Sequence, residues 1–304
     1  MSKHQIQRAA WHDYRSRCIY MITITKRWDQ PPFSSLVGDY RLPTGSPGCS
    51  STAMTPLGSI IQQAIRHLPC HEPAIKLLQY SVMPDHAHIL LFVTRPTAEP
   101  IGAAIARMKA EINRSWGYGS VFNPGFNDQI LKSSRSLQTL YDYIRDNPRR
   151  LAVRQALPDF FRRVRNITIN GRRCQSYGNQ FLLRCPFKEQ VVVHRADDEA
   201  TRRVMRERWL YAAANDGVLV SPFISPAEKA VRAEAEEAGG RVILISNNPF
   251  AERYKPNVRD FDLCCRGRLL IVTPAGGEWA GEKVSREVCM AMNALAADIY
   301  AAGA

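Results

Sequence analysis

One short segment restricts the fold of this chain more than any other. Two histidines, His86 and His88, follow a Met-Pro-Asp turn at 83–85 and open an apolar run. The length and composition of this run predict a strand over 86–93. Residues i and i+2 of a strand point to the same face, so the two imidazoles would project side by side, at a spacing that suits one divalent metal ion. Asp85 either forms the turn or orients an imidazole.

A second informative segment lies about 55 residues downstream of the histidines. A helix is predicted over 136–146, ended by the Asn147-Pro148 step. Tyr143 and Asn147 lie four positions apart and would share one helical face, whereas Tyr141 would lie on another face. Asn147 is equally suited to cap the end of the helix. A histidine pair on a strand and a tyrosine on a helix together provide what is needed to cut one DNA strand through a tyrosyl-phosphate bond.

The order of elements in the first half favours an α+β fold. A predicted strand over 18–27 is followed by a long loop or hairpin insertion over 28–54 and by a helix from Thr55. A strand over 74–82, the histidine strand and a helix from Pro100 come next. This order predicts a ferredoxin-like antiparallel sheet with helices on one face.

The second half has a different pattern. Residues 156–196 predict a β-rich connector whose strands include 181–184. Strands and helices then alternate, and apolar strands such as 241–246 fit a parallel sheet that is buried on both faces. We therefore predict a first domain over 1–155, the connector, and an α/β Rossmann-like parallel-sheet domain over 197–304.

Positive charge is concentrated in the half that carries the histidine pair. The net charge is +13; residues 1–165 hold 22 Lys and Arg against 11 Asp and Glu, and residues 166–304 hold 19 against 17. A basic surface attracts nucleic-acid phosphates, although a solvated surface would use the same residue types. The candidate DNA-binding residues are Lys109, Arg114, Lys132, Arg135, Arg145, Arg149 and Arg150. The candidates for base stacking, or alternatively for core packing, are Trp116, Tyr118, Phe122 and Phe126.

Composition also indicates where the protein would work. No run of 18 apolar residues occurs, so we expect no membrane span and no membrane partner. The first residues have no apolar core like that of a signal peptide, and the eight cysteines form no CxxC motif. We therefore expect a cytoplasmic protein with reduced thiols.

The two motifs together resemble those of a known family. Met-Pro-Asp-His-Ala-His-Ile-Leu at 83–90 and Asp-Tyr-Ile-Arg-Asp-Asn-Pro-Arg-Arg at 142–150 are similar to the signatures of single-tyrosine HUH transposases, and REP-associated tyrosine transposases are the nearest branch. The resemblance implies that His86 and His88 hold Mg²⁺ or Mn²⁺, that Asn147 helps to complete the metal shell, and that Tyr143 attacks phosphorus. It further implies single-stranded, hairpin-forming DNA as the partner and a 5′-phosphotyrosine intermediate.

A weaker resemblance covers about a quarter of the chain. Residues 217–300 are similar to Rossmann-like domains of the SLOG superfamily, which includes the DNA-processing protein DprA. The similarity implies a nucleotide site whose candidate residues are Ser221, Glu228, Gly276 and Gly277. No GxGxxG or GxxxxGK[ST] motif is present, and a scaffold for DNA contact or dimerisation fits the same pattern.

These patterns favour a DNA transposase that nicks and rejoins single-stranded DNA. A catalytically silent DNA hairpin-binding regulator would keep the basic surface without the chemistry. A nucleotide-sensing protein would depend on the C-terminal domain, and a plasmid replication initiator or relaxase would share the chemistry on different DNA. A monomer and a homodimer are both compatible with the sequence.

Overall fold

A computed structural model of the chain describes residues 9–131, 134–194, 196–252, 254–277 and 279–302. The chain divides into two compact units, Met1–Val153 and Arg154–Ala304. The first unit is α+β with an antiparallel sheet, and the second contains a mixed sheet with parallel strands. The three-part division predicted from the sequence stays a prediction.

The first unit is built around a four-stranded sheet. The strands of this unit are β1 (Cys18–Thr25), β2 (Ser34–Val37), β3 (Ser51–Met54), β4 (Ile75–Val82), β5 (His86–Val93) and β6 (Asn127–Ile130). Its helices are α1 (Pro56–His71), α2 (Ile101–Trp116) and α3 (Ser134–Ala156). The sheet order is β4-β5-β1-β6 with every neighbouring pair antiparallel, and β2 and β3 form a separate hairpin. The predicted strand over 86–93 is confirmed, as is the hairpin insertion.

Both faces of this sheet are covered. On one face, Ile22 and Ile89 belong to the large core that includes the buried residues of α1 and α2. On the other face, Met21 and Leu90 pack against Ile144 of α3. The prediction of helices on one face is therefore wrong. The physical reason is that β1 and β5 carry apolar residues at consecutive positions, which requires burial on both sides.

Helix α3 differs from its predicted form. It continues through Asn147-Pro148 to Ala156, so the alternative that Asn147 caps the end of the helix is wrong. Proline at this position removes the hydrogen bond that its N–H would have donated to the carbonyl of Ile144, and its ring crowds that carbonyl. The helix continues because residues on both sides of this position, including Ile144 and Val153, are buried. Tertiary burial thus outweighs the local preference to stop.

The second unit contains a six-stranded mixed sheet. The strands of this unit are β7 (Arg163–Ile169), β8 (Arg172–Gly178), β9 (Lys188–Gln190), β10 (Val218–Ser221), β11 (Arg241–Ile245) and β12 (Leu269–Pro274). Its helices are α4 (Glu199–Ala214), α5 (Pro226–Glu237), α6 (Val258–Cys265) and α7 (Arg286–Ala301), with 3₁₀ turns at Pro158–Phe161 and Gln180–Arg184. The order is β7-β8-β12-β11-β10-β9; strands β9 to β12 are parallel, and β7 and β8 add an antiparallel edge.

Most predicted elements of this unit are confirmed, one predicted strand is wrong, and one helix was not predicted. The strand predicted over 181–184 is wrong, because Asn179 accepts a hydrogen bond from the Phe181 N–H at 3.1 Å and starts a 3₁₀ turn. The short helix α6 is absent from the sequence-based prediction; Asn257 caps it by accepting from the Asp260 N–H. Within the described part of the chain, no helix has both the length and the apolar content needed to cross a bilayer.

Candidate metal and nucleophile site

The two histidines lie next to each other on the face of the sheet that α3 covers. Their Nε2 atoms are 3.1 Å apart and their ring centroids 4.6 Å apart. His88 is 4% exposed, whereas Ala87 between them points into the core on the opposite face. The strand alternation thus brings the imidazoles together as the sequence predicts.

Each imidazole is held through its other ring nitrogen. His88 Nδ1 lies 2.8 Å from Thr23 Oγ1, directly across the β1–β5 pairing, and His86 Nδ1 lies 2.7 Å from Asp85 Oδ1. A carboxylate only accepts, so Asp85 keeps a proton on Nδ1 of His86 and leaves the Nε2 lone pair of the neutral ring directed toward His88. Asp85 therefore forms part of the turn and also orients an imidazole.

This geometry fits two ligands of one divalent ion. Adjacent ligands of an octahedral ion with bonds of about 2.1 Å stand about 3.0 Å apart, close to the spacing of the two Nε2 atoms. In the part of the chain that the structure describes, no group of three or more His, Cys, Asp or Glu side chains could hold a metal ion. A further protein ligand would therefore be a side chain of another type.

Asn147 has the properties expected of such a ligand. It is 2% exposed and follows Tyr143 by one helical turn on the face of α3 that meets the sheet. Its Nδ2 atom is buried and has no hydrogen-bond partner among the described residues. Rotating the amide group by 180° exchanges its oxygen and nitrogen, so the oxygen would take the buried position of Nδ2. An amide oxygen at that position would suit a cation.

Helix α3 brings Tyr143 to the histidines. The ring centroids of Tyr143 and His88 are 5.8 Å apart, with an angle of 61° between the ring planes. Tyr143 is half-buried and packs against Ile144 and Leu90, whereas Tyr141 is exposed. The structure therefore places Tyr143 beside the histidines, and Tyr141 on the outer surface of the helix.

A buried cation also contacts Tyr143. The guanidinium carbon of Arg150 is 5.5 Å from the centre of the Tyr143 ring, and Arg150 is 3% exposed. Guanidinium groups bind phosphate through paired hydrogen bonds and do not lose their proton. Arg150, one of the basic residues proposed from the sequence, therefore contacts the candidate nucleophile.

The other basic candidates lie in different surroundings. Lys109 donates to the carbonyls of Asn123 and Gly125, both at 2.8 Å, and burial lowers the pKa of its ammonium group. Arg149 lies 3.5 Å from the Asp146 carboxylate. Arg114 and Arg145 are exposed. Lys132 and the side chain of Arg135 lie outside the described residues.

The aromatic candidates divide into buried and exposed side chains. Phe122 and Phe126 belong to the core, and Trp116 is half-buried against it. Tyr118 is 77% exposed. Trp28, which sequence reasoning missed, is 89% exposed. Trp28 lies between the end of β1 and the Pro31-Pro32 pair, and this position could have predicted that it lies in a surface loop.

The candidate nucleotide residues of the second unit have structural partners or lie in an open loop. Ser221 is buried and its Oγ accepts from the Phe223 N–H at 2.9 Å. The buried Glu228 carboxylate accepts from the backbone N–H groups of Ile224 and Ser225 at the start of α5, and from that of Val193 after β9. Gly276 and Gly277, which follow β12, have φ angles of 155° and 114° and are exposed.

A cleft of about 560 Å³ opens beside Glu228. Its lining includes His194, Arg202 and Asn293, and the Asn293 Oδ1 atom is buried without a hydrogen-bond partner among the described residues. Parallel sheets place ligands outside the carboxyl ends of their strands, and the cleft lies beyond the ends of β9 and β10. Of the four candidate residues, Glu228 alone lines it.

Comparison with known proteins gives distant similarities. No family model matches the chain. An uncharacterized protein from Haemophilus influenzae is 20% identical over 162 residues, which cover 45% of this chain and 83% of that protein. A solved structure of a REP-associated tyrosine transposase bound to a REP hairpin aligns with a TM-score of 0.36 and 14% identity, over 47% of this chain and 73% of the other. At these levels of similarity, any function has to be inferred from the geometry of the site itself.

Proposed function

We propose that the first unit cuts and rejoins single-stranded DNA through a covalent bond to Tyr143, as a metal-dependent single-tyrosine transposase of the HUH type. One observation carries the proposal. Two imidazoles whose Nε2 atoms lie 3.1 Å apart are next to a tyrosine on a helix that packs against the same face of the sheet. A metal-binding pair beside a nucleophile suits phosphoryl transfer.

The topology supports a ferredoxin-like assignment for this unit. Without the β2–β3 hairpin, its elements follow the order β1, α1, β4, β5, α2 and β6. Their sheet order, β4-β5-β1-β6, is that of a split βαβ fold. The parallel strands β9 to β12 likewise support a Rossmann-like assignment for the second unit.

The chemistry assigns a role to each side chain. The Tyr143 hydroxyl oxygen would attack phosphorus and lose its proton, the bond from phosphorus to the 3′-oxygen would break, and that oxygen would take up a proton. The products are a 5′-phosphotyrosine and a free 3′-hydroxyl, which can attack the linkage to rejoin the strand. Because one phosphodiester replaces another, no nucleotide is consumed.

The remaining residues would hold and orient these groups. His86, His88 and Asn147 would hold Mg²⁺ or Mn²⁺, which when bound supplies positive charge to a non-bridging phosphate oxygen. Thr23 and Asp85 fix the rings through Nδ1. Arg150, beside the Tyr143 ring, would contact the phosphate.

The test is covalent capture of DNA. The protein is incubated with Mn²⁺ and labelled single-stranded hairpin oligonucleotides from the DNA around its gene. We expect an adduct that survives denaturant and disappears in Tyr143→Phe. Tyr141→Phe is the matched control, because it removes the same hydroxyl from an exposed tyrosine two residues away. Hairpin binding without an adduct under any metal would favour the silent DNA-binding regulator.

The cleft beside Glu228 favours a second candidate function, the binding of an anionic small molecule such as a nucleotide. Arg202 and His194 at its lining would suit a phosphate group. Isothermal titration with ATP, ADP and AMP, with Arg202→Ala as the comparison, tests it. Absence of heat with all three nucleotides would refute nucleotide sensing by this cleft.

A further inference from the structure

Two large aromatic side chains stand in solvent on neighbouring loops of the first unit. Trp28 is 89% exposed and Tyr118 is 77% exposed. Exposed rings on neighbouring loops are typical of interaction sites, because aromatic side chains of this size are usually buried. We refer to Trp28, Trp116 and Tyr118 as the aromatic surface.

Hydrogen bonds hold the two loops to each other. Gln30 accepts from the Trp116 indole N–H at 2.9 Å and donates to the Tyr118 carbonyl at 3.3 Å. The Arg27 N–H donates to the Val121 carbonyl at 3.0 Å. The Tyr118 ring meets the Trp116 ring edge to face, with centroids 5.2 Å apart. Rings that are positioned in advance lose less conformational entropy on binding a ligand.

The same loops are joined to the candidate metal site. The Lys26 N–H donates to the Asp85 carbonyl at 2.8 Å, and the Asp85 carboxylate contacts His86. Thr25 pairs with His86 across the sheet, and Trp28 follows Thr25 by three residues. An extended chain spans at most ~3.6 Å per residue, so the Cα atoms of Trp28 and Thr25 are within about 11 Å of each other. The aromatic surface therefore begins three residues after the strand partner of His86.

We infer that the aromatic surface stacks unpaired bases of the DNA strand next to the phosphate that is cut. This inference rests on the proposed function, since it assigns a binding surface to the same site. Every base has an aromatic face, so stacking would hold a strand without reading its sequence. The exposed Arg114, two residues before Trp116, and the excess of basic residues over 1–165 add attraction for the phosphates.

The first experiment measures binding of the full-length protein to an unstructured single-stranded oligonucleotide by fluorescence anisotropy. Trp28→Ala and Tyr118→Ala are each expected to weaken binding about 10-fold. Trp28→Phe and Tyr118→Phe are expected to keep wild-type affinity, because they keep a ring. Trp11→Ala is the matched control, since Trp11 is 67% exposed in the same unit but contacts His12 near the start of β1. Equal affinity of the alanine and phenylalanine variants would overturn the inference.

A second measurement separates this inference from the proposed function. In a series of oligonucleotides, a single abasic position is moved along the strand. At the positions whose bases stack on Trp28 or Tyr118, the abasic strand should bind the wild type more weakly, and the matching alanine substitution should cause no additional loss of affinity. Suppose that the wild-type protein forms the Tyr143 adduct, that abasic oligonucleotides bind as tightly as the intact strand, and that the alanine variants bind as tightly as Trp11→Ala. The stacking surface is then refuted and the nuclease proposal stands. If stacking is found and no adduct forms, the aromatic surface stands and the nuclease proposal fails. An equal loss of affinity for duplex DNA would also overturn stacking.

Discussion

Replacing Thr23 with valine tests whether the histidines are held for metal binding. Thr23 Oγ1 is 2.8 Å from His88 Nδ1, and His88 is 4% exposed, so water cannot replace the hydroxyl. Valine keeps the shape of the side chain and removes the hydrogen bond. The His88 ring then loses the contact at Nδ1 that fixes its orientation toward His86. Loss of a partner that orients a ligating histidine typically lowers metal affinity about 10- to 100-fold.

The assay is isothermal titration with Mn²⁺, supported by thermal unfolding with and without the ion. Wild-type protein should unfold at a higher temperature when Mn²⁺ is present, because an ion that binds only the folded state stabilises it. The Thr23→Val protein should need about 10- to 100-fold more Mn²⁺ for the same shift. In the absence of metal, loss of this buried hydrogen bond should lower the free energy of unfolding by about 1 kcal/mol.

Thr25→Val is the matched control for this prediction. Thr25 lies two residues away on the same face of β1, opposite His86, but its hydroxyl accepts a hydrogen bond from the Asn123 side chain at 3.2 Å. Its Mn²⁺ affinity should match that of the wild type. Equal Mn²⁺ affinity in Thr23→Val and Thr25→Val would refute the reasoning that the strand register orients His88 for a metal.

Three further predictions follow from buried groups. Asn147→Leu should raise the free energy of unfolding by about 1 kcal/mol, because it removes a buried amide nitrogen that has no hydrogen-bond partner among the described residues, while lowering Mn²⁺ affinity; urea unfolding and titration check both, and a less stable variant would contradict it. Glu228→Gln should destabilise the second unit by about 1–3 kcal/mol in urea, because the carboxylate accepts three backbone N–H groups, whereas Glu234→Gln on the same helix should have little effect. Burial raises the pKa of the Cys174 thiol to about 11, so at pH 8 a maleimide should label the exposed Cys70 well before Cys174; equal rates would show that Cys174 is accessible.

Local sequence patterns were sufficient where one element carries the signal. The period-two arrangement of His86 and His88 in an apolar run predicts both the strand and the side that the imidazoles share. The four-residue spacing of Tyr143 and Asn147 likewise predicts that they share a helical face. The role of Thr23 could not be predicted in this way, because its partnership with His88 depends on the register of two strands 65 positions apart.

Tertiary packing decided the features that the sequence misassigned. The step at Asn147-Pro148 predicts a helix end, but burial of the flanking residues keeps α3 helical. The apolar residues at 181–184 predict a strand, but the side chain of Asn179 accepts a hydrogen bond from the Phe181 N–H and starts a 3₁₀ helix. Exposure of Trp28 depends on a loop held by Gln30 and Val121, contacts that no local pattern encodes.

The proline inside α3 gives this helix an uneven stiffness. The backbone hydrogen bonds of a helix resist bending, and Pro148 cannot donate the hydrogen bond that the Ile144 carbonyl would accept. The softest point of α3 therefore falls within two turns after Tyr143. In the proposed reaction, a tilt of the helix at this point would move Tyr143 together with a DNA end attached to it. Such a tilt would let one tyrosine serve both the cutting and the rejoining step.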